Sequence, residues 1–320
     1  MPAFRIRSSI TPLLALAFVA ALVIVGVALF AFWMWSVGSV GGGLEGFGES
    51  IYMRRRIWTY WDGDPPLLVQ LCLDSWRAHN PAWEITILSK RSLRDYVADV
   101  DLDALRHAND SQARFADFVR LHVLARYGGL WMDASVICQA PLDWIFDAFA
   151  DETRREFVGY RADQHMRALG EQQGIRYEDV GEVLETSVFA CVPGCAFVRM
   201  WRDEFMRINE YDSVDDYVSD VLASGTALPD QLAHSYYAIF ASQIVVTRQN
   251  PGFLAAPAAL LVDCTHTIFS YQFHLGDEDE SPVAALRSGR FKDQPLLKLT
   301  NWERADIQDA YPDPSVFFDE

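Results

Sequence analysis

The stretch from Ser111 to Val136, SQARFADFVRLHVLARYGGLWMDASV, constrains the fold more than any other. It reads as helix, turn and strand. Ser111 stands where a side-chain oxygen caps a helix by accepting from a free backbone N–H. No Gly or Pro interrupts the chain until Gly128-Gly129, a pair suited to the left-handed position that ends helices. Leu130, Trp131 and Met132 then form a short apolar run of buried-strand type, which stops at Asp133. The helix is apolar around most of its circumference, through Phe115, Phe118, Val119, Leu121, Val123 and Leu124, so it is expected to be buried. Arg114, Asp117 and Arg120 nevertheless recur at every third position and share one stripe. Charges on a buried helix are costly unless paired or facing a ligand. Asp133 is a second oddity: a carboxylate at the carboxyl end of a buried strand, where ligands bind in open α/β sheets.

The flanking sequence supplies the rest of such a sheet. Ile57–Trp61 (IWTYW) is β-branched and aromatic and reads as the first core strand. Leu67–His79 has helical spacing and is broken by Asn80-Pro81, and Glu84–Leu88 alternates as a second strand. Strand, helix and strand at this spacing make a βαβ unit and hence a parallel sheet. After Asp133, Ser135–Cys138 continues as a short strand, and Pro141–Trp144 opens a turn and helix. Residues 151–183 are charged and weakly patterned and are expected to be loops or an acceptor-side insertion. Glu185–Met206 reads as strand, Pro-Gly turn and helix; Ala233–Val246 is an aromatic-rich helix or strand whose Tyr236 and Tyr237 are expected to pack. Pro295–Trp302 (PLLKLTNW) gives a last apolar strand, with Lys298 a candidate for meeting a phosphate.

The amino-terminal part has a different character. Residues 1–12 form a short tail with Arg5 and Arg7. Leu13–Trp35 carries no charge and, as a helix, would span about 35 Å, enough to cross a bilayer. Trp33 and Trp35 sit at its far end, where interfacial aromatics belong. The competing reading is a cleaved signal peptide, but the run exceeds a usual apolar h-region and no clean small-x-small site follows. Residues 36–56 are Gly-rich and read as a flexible stem, leaving 57–320 as the globular part. The basic tail favours an amino terminus inside, although Arg54-Arg55-Arg56 beyond the helix weaken that bias.

The central block, R-x-x-D-x-x-R followed by Y-G-G-L-W-M-D-A-S, resembles glycosyltransferases that carry the DXD sugar-binding motif. The resemblance is nearest to the capsular polysaccharide synthesis branch of that group. Golgi-type mannosyl- and galactosyltransferases and the large clostridial toxin glucosyltransferases are more distant. It extends over Ile57–Trp302, and only the central block is specific. It implies a GT-A-like (Rossmann-like) α/β fold with a mixed, mostly parallel sheet flanked by helices, here behind an N-terminal transmembrane helix. It also implies transfer of a hexose from a UDP- or GDP-sugar to a glycan or polysaccharide acceptor, with retention of anomeric configuration.

The same resemblance implies roles for particular residues. Asp117 and Arg120 would face the donor sugar as the catalytic pair, with Arg114 beside them. Trp58 would stack on the nucleotide base, and Tyr60 and Trp131 would add ring contacts to the donor. Ser187 matches a polar position before the next strand, and Thr300 and Trp302 match a Ser-x-Trp that closes over the donor phosphates. Asp133 would hold a divalent metal, Mn²⁺ or Mg²⁺, which needs only one or two protein carboxylates. The common Asp-x-Asp is here Asp133-Ala134-Ser135, so Ser135 brings a neutral oxygen that would act through a metal-bound water or the ribose.

Composition limits the remaining readings. The chain of 320 residues has a net charge of −17, which argues against a basic nucleic-acid footprint. Five cysteines are too few, and odd in number, for a disulfide scaffold; Cys191 and Cys195 flank a Val-Pro-Gly turn and are either two half-buried thiols or a pair in an oxidising lumen. No G-x-G-x-x-G follows a strand, which disfavours a nicotinamide-dependent oxidoreductase. The expectation is a single-pass type II membrane protein with its catalytic part in the lumen of the Golgi or another endomembrane, or, in a bacterium, beyond the inner membrane. A membrane-tethered glycan-binding protein of the same fold without catalysis is the alternative.

Overall fold

The computed structural model describes residues 53–102, 105–150, 154–162, 173–175, 180–277 and 279–318. The expected tail, membrane segment and most of the stem lie outside these. Among the described residues no helix is long and apolar enough to cross a membrane.

Among the described residues, eight strands and seven principal helices build the fold. The strands are β1 (Arg56–Tyr60), β2 (Glu84–Leu88), β3 (Gly129–Met132), β4 (Val136–Cys138), β5 (Phe157–Arg161), β6 (Leu184–Cys191), β7 (Ala259–Asp263) and β8 (Leu296–Lys298). The helices are α1 (Leu67–His79), α2 (Gln112–Tyr127), α3 (Asp143–Ala150), α4 (Ala196–Met206), α5 (Val214–Ala223), α6 (Ala238–Gln249) and α7 (Asn301–Ala310). Six strands form one sheet in the order β2-β1-β3-β6-β5-β7. β1 pairs in parallel with β2 and β3, and β5 pairs in parallel with β7. β6 runs against both β3 and β5, so a mixed, mostly parallel sheet is what the chain adopts. β4 and β8 make a separate antiparallel pair.

Local chemistry explains the central block. Ser111 caps α2 by accepting from Arg114 N at 3.1 Å. The helix ends at Gly128, whose φ of +62° is left-handed, and Gly129 follows at +101° before entering β3. Neither glycine has room for a side chain. A Cβ on Gly128 would lie 2.5 Å from Pro193 N, and one on Gly129 would lie 2.8 Å from Arg56 O. The close approach lets β3 enter the sheet directly beside β1, with Ile57 opposite Leu130 and Trp58 opposite Trp131.

The apolar interior divides in two. The larger core surrounds the six-stranded sheet and includes Trp76, Phe118, Trp131 and Trp201. A smaller one gathers Leu68, Cys72, Ile137, Tyr271, Leu297 and Leu299 around β4, β8 and the start of α1. Trp76 links the two, donating from Nε1 to Val136 O at 2.7 Å.

One expectation is corrected and two open readings are decided. The weakly patterned 151–183 region holds β5, a core strand between β6 and β7, with Phe157 and Val158 buried. Tyr237 packs against the core as expected and meets Tyr236 edge-on at 4.9 Å, whereas Tyr236 itself is 47% exposed; of the two readings for Ala233–Val246 the chain adopts the helical one, a short turn of helix followed by α6. Cys191 and Cys195 are both free thiols, and Cys191 Sγ lies 3.5 Å from Leu124 O inside the core.

Candidate active site

β6 runs opposite to its neighbours, so its amino end comes to the same sheet edge as the carboxyl ends of β1 and β3. A cavity of about 750 Å³ opens at that edge. Tyr60 ends β1 at its wall, Asp117 and Arg120 reach it from α2, and Trp131 and Asp133 reach it from β3 and the turn beyond. Glu185 and Thr186 supply the β6 side. Ser135, Lys298 and Thr300 close the wall from the β4–β8 pair, and Tyr236 and Trp302 stand at the rim.

Arg120 is the hub. Its guanidinium donates to Thr186 O at 2.7 Å and to Asp133 Oδ1 at 3.2 Å, and it lies 3.1 Å from Asp117 Oδ1. It also sits 5.1 Å above the ring of Trp131, a favourable cation–π distance. The stripe read from the sequence is therefore real, but it mixes two arrangements. Asp117 and Arg120 turn to the cavity together. Arg114 turns to Asp110 at 3.1 Å and to Ser235 O at 2.6 Å, and does not line the cavity.

Asp133 is held from several directions. Its N–H donates to Ser187 O at 2.8 Å, fixing the turn onto β6. Its Oδ1 accepts from Trp131 Nε1 at 2.9 Å as well as from Arg120, and Lys298 Nζ stands 3.4 Å from Oδ2. Burial works to raise its pKa, but Arg120 and Lys298 outweigh burial and keep the carboxyl below its usual range. Asp133 is ionised at neutral pH. Asp117 goes the other way. Burial pushes it up to about 7, Arg120 opposes that rise, and the charge of Asp133 adds to it. Burial raises Glu185 as well, against the bond it receives from Ser187 N.

The other expected contacts divide by strand geometry. Trp58 and Tyr60 share one face of β1, because side chains alternate along a strand. Only Tyr60, at the carboxyl end, reaches the cavity. Its buried hydroxyl has no hydrogen-bond partner among the described residues. Trp58 is fully buried, donates to Gly128 O at 2.8 Å and meets Tyr96 and Tyr127 edge-on and tilted. It is a core aromatic that anchors the Gly-Gly turn, and no face of it is free to stack on a base. Ser187 is also corrected: it lies level with Asp133 inside the sheet, buried and outside the cavity wall. Glu185, one pleat repeat nearer the edge, takes the place foreseen for it. The signal for Glu185 was the direction of β6, which only the pairing with β3 reveals. Thr300 and Trp302 both line the cavity; Thr300 caps α7 by accepting from Trp302 N at 3.3 Å, and Trp302 is 81% exposed.

A family model for capsular polysaccharide synthesis proteins matches residues 48–222. That segment runs from before β1 through α5 and contains Asp117, Arg120 and Asp133. The chain belongs to the capsular polysaccharide synthesis family. Lys298, Thr300 and Trp302 lie beyond the matched segment. No curated protein matches the sequence. Among solved structures, the PaToxG glycosyltransferase is 12% identical, with 82% of this chain and 86% of that chain covered, at a TM-score of 0.38. Apo mouse xyloside xylosyltransferase 1 is 12% identical over 84% of this chain and 93% of its own, at 0.41. The UDP-bound glycosyltransferase domain from the YGT toxin is 11% identical over 82% and 90%, at 0.40. Likenesses this distant assign no donor or acceptor to this family member.

The expected divalent ion finds a poor donor set here. Ser135 Oγ, the neutral oxygen of the motif, already donates to Leu299 O at 3.0 Å and accepts from Lys298 Nζ at 2.8 Å, which leaves it little capacity for a metal-bound water. Asp133, the motif's carboxylate, is already shared by Arg120, Trp131 and Lys298.

Proposed function

We propose that this member of the capsular polysaccharide synthesis family transfers a hexose from a nucleoside diphosphate sugar to a hydroxyl of a glycan or polysaccharide, with retention. The reading is carried by one observation: Asp117, Arg120 and Asp133 converge on a single cavity at the carboxyl edge of the sheet, although Asp133 is separated from the helix pair by a turn and a strand. A carboxylate there accepts hydrogen bonds from two sugar hydroxyls, and a guanidinium donates to ring or phosphate oxygens. The C1–O bond to the diphosphate breaks, with its electron pair leaving on the diphosphate. The acceptor oxygen bonds to C1, and the acceptor proton departs with the released nucleoside diphosphate. Trp302 and Tyr236 at the rim offer aromatic faces on which an apolar sugar face can lie. The membrane segment at 13–35 would hold this domain on the far side of the bilayer from the tail, in a Golgi-type lumen or outside a bacterial inner membrane.

The test is a panel of UDP- and GDP-hexoses, read as nucleotide release with and without oligosaccharide acceptors. Release that rises with an acceptor and is lost in Asp117→Ala is the expected result. A folded protein that binds glycans but releases no nucleotide from any donor overturns the reading in favour of a lectin-like protein.

A further inference from the structure

Lys298 brings a cation to the wall of the cavity. Its ammonium donates to Ser135 Oγ and to Leu299 O, both at 2.8 Å, and stands 3.4 Å from Asp133 Oδ2. An ammonium has three donors. Two are spent on neutral oxygens that fix its position, and the third side is turned toward Asp133 and the cavity it lines. The backbone that carries it is equally fixed. β8 pairs Lys298 with Val136, Lys298 N donates to Ile268 O at 2.9 Å, and the buried Tyr271 hydroxyl donates to Lys298 O. Arg120 approaches Asp133 from its other oxygen, with its own side chain almost wholly buried.

Asp133 and Ser135 are thus the seat of a resident lysine. A divalent ion contacts its oxygen ligands directly, at about 2.0–2.1 Å for Mg²⁺. On Asp133 it would be crowded against an ammonium and a guanidinium that are anchored by backbone carbonyls. Repulsion between a double charge and two fixed single charges works against that arrangement, while a single ammonium already satisfies both motif side chains.

We propose that Lys298, with Arg120 beside it, supplies from the chain itself the positive charge that a divalent ion supplies in the enzymes this family resembles. The assignment rests on the reading of a nucleoside diphosphate sugar as donor. Lys298 Nζ turns its third N–H, which faces Asp133 Oδ2 at 3.4 Å, onto the diphosphate oxygen that receives the electron pair of the broken C1–O bond, and is therefore a catalytic residue. Asp133 and Ser135 are positioning residues that aim the ammonium. The acceptor oxygen bonds to C1, and its proton leaves on the nucleoside diphosphate, so charge on the protein is unchanged over the cycle.

Titration calorimetry of the full chain in detergent with UDP and with GDP, in EDTA and in Mn²⁺, tests this. For whichever nucleotide binds, the affinity in EDTA is expected to lie within about twofold of that in Mn²⁺, a difference well under 1.4 kcal/mol. Lys298→Met is expected to weaken binding in EDTA by about 10–100-fold, the worth of a charge-assisted hydrogen bond. Mn²⁺ is expected to restore part of that loss in Lys298→Met, because Asp133 Oδ2 and the lone pair of Ser135 Oγ that faced the ammonium are then freed, and to add nothing to the native chain. Lys298→Gln keeps a donor without the charge and gives the same EDTA deficit if Lys298→Met does not fold. Nucleotide binding by the native chain that is more than about tenfold tighter in Mn²⁺ overturns the assignment while leaving the transferase reading intact. Binding of neither nucleotide in either condition overturns the donor reading itself.

Discussion

Removing Arg120 tests the electrostatic centre of the site directly. Arg120→Ala deletes the donors to Thr186 O and Asp133 Oδ1 and the partner of Asp117, all in buried surroundings. Breaking a buried pair by taking away one partner costs about 3–5 kcal/mol. Not all of that falls on Asp133, which keeps Trp131 and Lys298. The exposed cost is at Asp117 and at the orphaned Thr186 carbonyl. Asp117 also makes the loss depend on pH. Its folded pKa, about 7, lies above the ordinary value of 3.8. The folded state therefore holds the extra proton in that window, and this group's contribution to stability falls as pH rises through it. Without Arg120, the main influence lowering that pKa is gone, so the variant keeps its proton to higher pH and the window extends upward. Near pH 5 both proteins carry a neutral Asp117 and the difference between them is smallest; it widens toward about pH 8. At about 2–3 °C per kcal/mol for a domain of this size, thermal melts at pH 8 should fall by about 6–15 °C. A fall of less than about 2 °C at pH 8, or a larger fall at pH 6 than at pH 8, refutes the assignment of Arg120 as the buried partner of Asp117.

Three further outcomes follow from the same geometry. Gly128→Ala places a Cβ 2.5 Å from Pro193 N at φ +62°, whereas Gly194→Ala meets nothing within 4 Å at φ +71°. Gly194→Ala should cost about 1–3 kcal/mol for backbone conformation alone, with Gly128→Ala well beyond it in the same denaturant titration. Trp302→Ala removes a side chain that is 81% exposed, so the melting temperature should stay within about 2 °C while sugar transfer falls about tenfold. If Asp117 binds donor hydroxyls as a carboxylate, kcat/KM should rise with pH through about 7, and Asp117→Asn should flatten that profile while lowering it.

What the sequence made legible was local in origin. Ser111, the unbroken helix, Gly128-Gly129 and the run into Asp133 are all read from neighbours a few residues away, and each took the expected conformation. β1, α1 and β2 were legible for the same reason. β5 was hidden because its apolar residues, Phe157 and Val158, sit among charges, and its partners in β6 and β7 lie far along the chain. Trp58 and Tyr60 look alike in sequence. Both are buried; what separates them is the Gly-Gly turn, which encloses Trp58, and the place of Tyr60 at the strand end, on the cavity wall.

Lys298 shows how such a distant contribution is nonetheless specified. Side chains alternate along β8, and slipping the register by one residue turns every one of them over. Leu297 and Leu299 enter the small core with Ile137, and Leu296 enters the large one. With those apolar residues seated, Lys298 has a single remaining direction, toward Ser135 and Asp133. A shift that freed the lysine would bring Leu297 into the polar cavity and bury the ammonium without a carboxylate, both unfavourable. The cation is aimed by hydrophobic burial elsewhere on the same short strand. Replacing Leu297 by a polar residue should therefore disturb nucleotide binding as well as stability, although Leu297 does not line the cavity.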